Sequence, residues 1–265
     1  MNNKQRTMNY ELKNNAFSLT EILIAVGILA VGMIFIAGVF PAGIYLTTIA
    51  TERTIAAVAA DEAFAKIKIY AEGDLNDTSD DIRLNNLQED ELMDFNDTAV
   101  FPATADINSN EFAYPSTDTS ESDKQYCWSA LCRRAGTDPN DRLVQITVFV
   151  SRRVSPNLKY RTPDGSDNSA WPVPVGVNVN EVSGKDNELE IEDSKKTFIN
   201  DGYTIVDGKD GQIYRVLERY KDPDNRILLD RNWDNDSGSP VWVVPPPSGG
   251  GRYPCIAVYQ KVISF

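Results

Sequence analysis

The sequence contains no histidine. That removes every Ser-His-Asp or Cys-His arrangement, together with the commonest metal ligand. Cysteine is scarce as well, with only Cys127, Cys132 and Cys255. The first two are spaced C-x4-C, which is neither a zinc pattern nor a thioredoxin-like redox pattern. An odd count leaves at least one thiol unpaired within a monomer. Positive charge is in deficit: 26 Lys and Arg face 39 Asp and Glu, a formal charge of −13. A nucleic-acid partner is not expected, because neutralising phosphates takes clustered Lys and Arg. A polybasic membrane-surface protein is excluded by the same count. No G-x-x-x-x-G-K-[ST], G-x-G-x-x-G or G-x-S-x-G occurs, so the common phosphate cradles and the nucleophile elbow are missing. Pro245 to Gly251 reads as a loop, because its glycines do not follow a strand and open a helix. No catalytic constellation, cofactor site or metal site emerges, and the chain is not expected to be an enzyme.

Charge is also missing locally. Between Ile22 and Thr51 there is no Asp, Glu, Lys or Arg. The strongly apolar part is long enough to cross a bilayer as a helix, which takes roughly 20 residues, and the span is placed at about 22–41. Before it lies a polar stretch, MNNKQRTMNYELKNNA, with Lys4, Arg6 and Lys13 against Glu11. The acidic bulk of the chain follows. The positive-inside rule then puts the N-terminus in the cytoplasm and the C-terminal domain outside it. A secretory signal peptide fits less well, since its apolar region is usually about 7–15 residues and Glu21 stands at the entrance of this one. A plain single-pass anchor accounts for the apolar run but not for the arrangement at its start.

That arrangement is Ala16-Phe17-Ser18-Leu19-Thr20-Glu21, and it resembles the processing site of the type IV prepilin and pseudopilin family. The resemblance covers about the first fifty residues. It implies cleavage between Ala16 and Phe17 by a prepilin peptidase, N-methylation of Phe17, and a role for Glu21, the fifth mature residue, in filament assembly. The carboxylate would meet the new α-amino group of a neighbouring subunit, each charge offsetting the other where either alone would be costly. Two departures stand out. Ala16 replaces the family's usual Gly, and the helix-weakening Pro lies late, at Pro41, with Gly27, Gly32 and Gly38 nearby. Without the family pattern, Glu21 would simply be a carboxylate favoured by the positive end of a helix dipole.

The helix is expected to continue to about residue 72. IATERTIAAVAADEAFAKIKIYA is rich in good helix formers. Ile55, Val58, Ala59, Ala63 and Ile67 recur at helical spacing, and Gly73 offers a stop. Residues 73–125 are acidic and loop-rich, with a short helix expected over Leu87 to Phe95. The cluster Asp77-Thr78-Ser79-Asp80-Asp81 fits no EF-hand loop and reads as solvated. From residue 126 to 265 the pattern turns to strands: QYCWSALCRR and LVQITVFVSRR, Phe198 to Val206 and Gln212 to Tyr220 around Asp207-Gly208-Lys209-Asp210-Gly211, then Arg226 to Trp233, Pro240 to Val244 and Pro254 to Phe265. Such spacing points to an antiparallel sheet rather than βαβ units. The fold class expected is α+β: a long N-terminal helix, membrane-spanning in its first half and packed by its second half on an antiparallel β-sheet domain with long loops.

One disulfide among Cys127, Cys132 and Cys255 is expected from an extracytoplasmic location. The functional expectation is a minor structural subunit of a type IV pilus or a type II secretion-type filament. Its partners would be a prepilin peptidase, other pilin-like subunits and the membrane. The alternative is a membrane-anchored extracytoplasmic binding domain that does not polymerise.

Overall fold

The computed structural model describes residues 18–75, 87–95, 109–116, 124–136, 142–155, 157–162, 166, 169–234, 238 and 240–265. The chain divides into two compact units, Met1–Thr51 and Glu52–Phe265. A single helix, α1 (Leu19–Leu75), contributes to both. It runs through Pro41 and past Gly73, so neither residue ends it.

In the first unit, α1 starts where Ser18 can cap it. Thr20 N donates to Ser18 Oγ at 3.3 Å, and Ser18 N donates to Glu21 Oε2 at 3.0 Å. The S-x-x-E sequence thus ties down donors that the first helical turn leaves without partners. From Ser18 to Thr48 every described side chain is exposed. Leu19, Ile34 and Phe35 are 75%, 72% and 68% exposed, on all sides of the helix. A helix that is apolar all round needs an apolar surrounding. The hydroxyls that interrupt it are satisfied internally: Thr47 Oγ1 donates to Gly43 O, Thr48 Oγ1 to Ile44 O and Thr51 Oγ1 to Thr47 O, at 2.8–2.9 Å. Among the described residues, this is one helix long and apolar enough to cross a membrane by length and composition.

In the second unit, the rest of α1 lies on an antiparallel sheet. Its strands are β1 (Met93–Asp94), β2 (Ala113–Tyr114), β3 (Tyr126–Arg134), β4 (Leu143–Arg152) and β11 (Cys255–Ser264). The order is β1-β3-β4-β11, with β2 also on β3. Alternation decides the packing. Trp128, Ala130 and Cys132 of β3 join Val144, Ile146, Val148 and Val150 of β4 against α1. The helix side of that core is mostly alanine: Ala56, Ala59, Ala60 and Ala63, with Phe64 and Ile67. Small side chains let the helix approach closely. Ala59, Ala63 and Ile67 of the expected stripe are buried there, while Val58 is 49% exposed and Ile55 only half-buried.

The opposite face of the sheet is buried too. Leu131 and Phe149 pack there with Leu92, Val206, Val244 and Cys255. Both faces being covered explains why β3 and β4 read as almost continuous apolar runs.

The remaining strands form a second β assembly that no single-sheet reading anticipates. They are β5 (Val175–Val182), β6 (Lys185–Ile191), β7 (Thr204–Asp207), β8 (Ile213–Arg219), β9 (Arg226–Leu229) and β10 (Pro240–Val243). They close into a six-stranded barrel in the order β10-β5-β6-β9-β8-β7. Its interior holds Val175, Val177, Leu189, Ile205, Tyr214, Val216, Ile227 and Val241. Closure removes the exposed edges that an open sheet must protect.

Two local expectations are corrected. Leu87 to Phe95 is not a helix: its backbone bonds go to other elements, with Leu92 N donating to Gly208 O at 2.6 Å and Phe95 N to Ala130 O at 2.9 Å. Leu87 and Phe95 are buried in one core and Leu92 in another. Phe198 to Gly202 is likewise not strand; the hairpin begins only at Thr204.

A candidate processing and assembly segment

Ala16 and Phe17, the residues flanking the expected cleavage point, lie outside the described residues, as does the acidic cluster 77–81. Glu21 is in the first turn of α1, and one of its carboxylate oxygens accepts from Ser18 N. That bond, together with the positive end of the helix dipole, gives the carboxylate a local electrostatic role. Immediately beyond it begins the uncharged, outward-facing apolar helix. A charge at such an entrance is costly once surrounded by hydrocarbon, so any buried use of Glu21 requires a cationic partner from outside the helix. The S-x-x-E spacing was a signal readable in the sequence and was missed.

At the other end of the apolar segment a second carboxylate does have partners. Glu52 bonds Arg152 of β4, and it accepts from Arg252 Nη1 at 3.2 Å and Nη2 at 3.0 Å. Arg152 Nη2 also donates to Tyr253 O at 3.0 Å. These bonds fix the first turn of the second unit's helix to the sheet. The sequence offered no sign of them, because residues 52, 152 and 252 meet only through the fold.

The three cysteines are free thiols, all buried. Cys127 and Cys132 occupy one uninterrupted strand with no turn between them. Cys127 and Cys255 stand on opposite sides of Ser151, each paired with it across the sheet. Cys127 Sγ donates to Pro172 O and Cys255 Sγ to Ala257 O, both at 3.7 Å. Burial pushes the Cys127 and Cys132 thiols well up, and Cys255 to about 12. Among the described residues no group of three or more His, Cys, Asp or Glu side chains is placed to hold a metal ion. Trp128 and Trp233 are core residues, and Trp171 lies under the Arg153 guanidinium.

No protein-family model matches the chain, nor does any curated protein or solved structure.

Proposed function

We propose that the protein is a structural subunit, a minor one, of a type IV pilus or type II secretion-type filament, made with a short leader that is removed between Ala16 and Phe17. The observation that carries this reading is the single carboxylate, Glu21, at the head of an apolar helix whose side chains face outward on every side. A membrane accepts such a helix before assembly, and a bundle of identical or related helices accepts it afterwards. The leader, with three cations and one carboxylate, would stay in the cytoplasm and the β domain would lie outside. A membrane-anchored domain that never polymerises is the second reading. It draws support from the bond between Ser18 N and Glu21, which gives the carboxylate a purpose within its own helix.

The test is the N-terminus of protein extracted from membranes. Intact-mass and N-terminal peptide analysis should find a chain that starts at Phe17 and carries one added methyl group. A chain beginning at Met1, or one cut beyond Phe40, would refute the filament reading.

A further inference from the structure

In the second unit one side of α1 faces away from the sheet. Arg53, Asp61, Ala65 and Lys68 are exposed there, with Val58 and Ile69 at 49% and 69%. At 3.6 residues per turn these positions fall within one half of the helix circumference. The face carries apolar side chains where a helix turned to water is normally polar. Its charges alternate in sign along the axis: Arg53, Asp61, Lys68. Asp61 lies eight residues from Arg53 and seven from Lys68, beyond the three- or four-residue reach of an ion pair within one helix. Glu52 and Lys66, by contrast, pair within the chain, the first with Arg152 and Arg252, the second with Glu62 and Glu111. Tyr259 of β11 lies near both Arg53 and Asp61, but burial pushes its phenol up, so it stays neutral and offsets neither. Spacings of seven and eight residues are nearly the same length, about 10.5 and 12 Å at 1.5 Å per residue. A second helix of this sequence, parallel and displaced by about two turns, therefore meets both at once. Its Asp61 stands level with Arg53, and its Lys68 with Asp61.

We infer that this face of α1 docks a second copy of the chain, parallel and displaced by seven to eight residues. The Arg53–Asp61 and Asp61–Lys68 pairs between copies set the register, and Val58, Ala65 and Ile69 supply the apolar contact. Copies inserted in one membrane share one orientation. That leaves out the antiparallel pairing, in which Arg53 and Asp61 would exchange. Such a contact rests on the filament reading, because a displaced head-to-tail interface does not close on itself and repeats along the row.

The experiment is oxidative crosslinking in membranes between two differently tagged copies of the full chain, each with one cysteine introduced at an exposed position. The native thiols are buried, which disfavours their reaction. A disulfide needs Cα atoms within about 7 Å, so the crosslink reports the register. Val58→Cys against Ala65→Cys should dominate over either variant against itself. Asp61→Lys, which then meets a like charge on both neighbours, should cut the 58–65 crosslink about three- to tenfold, since two exposed ion pairs are exchanged for two repulsions. Inverting all three charges, with Arg53→Glu, Asp61→Lys and Lys68→Glu together, should restore it. Same-site crosslinks equal to or above the 58–65 yield, no crosslink in any pairing, an unchanged yield in Asp61→Lys, or no recovery on full inversion would each overturn the assignment. A mature N-terminus at Phe17 without the 58–65 crosslink sinks this contact and leaves the filament reading standing, whereas an N-terminus at Met1 sinks the filament reading itself.

Discussion

Cys127 and Cys255 flank Ser151 from opposite sides, which decides their chemistry. Strands lie about 4.8 Å apart, so residues two strands apart are separated by nearly 10 Å. A disulfide requires Cα atoms within about 7 Å. Cys127 and Cys132 are further apart still, roughly 17 Å along one strand at 3.3 Å per residue. The expectation of a disulfide came from a compartment rule, which says where bonds persist and nothing of where strands place thiols. The prediction that replaces it is three free thiols in the folded protein. The thiolate is the reactive form, and burial disfavours it at all three sites, with Cys255 titrating only near 12. At pH 8 an alkylating reagent should therefore label none of the three until denaturant is added, and all three afterwards. A Cys127–Cys255 disulfide recovered by non-reducing peptide mapping of native protein would mean that β4 does not lie between those two residues.

At the scale of elements, what was legible followed from periodicity. Val144, Ile146, Val148 and Val150 alternate, and they do form one face of β4 against the helix. The Asp207 to Gly211 turn signal marks the hairpin of β7 and β8. The β5–β6 hairpin was passed over, although Val175, Val177 and Val179 alternate and Gly184, with φ +77°, closes its turn. Interleaved Gly and Asn lowered its apparent strand character. Ala59, Ala63 and Ile67 of the expected helix stripe are buried, but Val58 is not, because Ala and Val are both apolar and only the sheet selects the smaller. That gives a paired prediction. Ile67→Ala should lower unfolding stability by about 2–5 kcal/mol, the usual loss for a buried large-to-small change. Val58→Ala should change it by no more than about 0.5 kcal/mol, as for a surface position. Barrel closure supplies another. At Gly208 a Cβ would lie 2.5 Å from Pro240 O, and Gly208 N donates to that same oxygen at 2.8 Å. Gly208 O meanwhile accepts from Leu92 N, so the backbone is held from both sides. Gly208→Ala should cost about 1–3 kcal/mol, in the range of overpacked cores, and chemical denaturation of the detergent-solubilised chain reads all three variants. A Gly208→Ala midpoint equal to the parent's would show that β10 yields easily, contrary to its pairing with both β5 and β7.

For the whole molecule the question is what the apolar helix is for, and Glu21 is where the two readings part. In the filament reading its carboxylate compensates the α-amino group of Phe17 on a neighbouring subunit. In the anchor reading it caps its own helix through Ser18 N. The magnitudes differ enough to be separated. Losing a capping bond costs about 1 kcal/mol, whereas leaving one buried charge without its partner costs about 3–5 kcal/mol at every contact of a polymer. Glu21→Val and Glu21→Ala remove both functions. Insertion should survive in each, since it is driven by apolarity, and assembly should fail. Glu21→Gln is the decisive variant: Gln keeps an oxygen that can accept from Ser18 N, as in the capping box, but carries no charge. The filament reading expects Glu21→Gln to fail like Glu21→Val, and Glu21→Asp, which keeps the charge with a shorter reach, to fall between these and the parent. The measurement is recovery of parent and variants in sheared surface filaments, or crosslinked to other pilin-like subunits, at matched membrane levels. If Glu21→Gln assembles as well as the parent while Glu21→Val does not, the carboxylate matters only as a cap. If all four variants match the parent, the helix is an anchor, and the β domain acts from the membrane without polymerising.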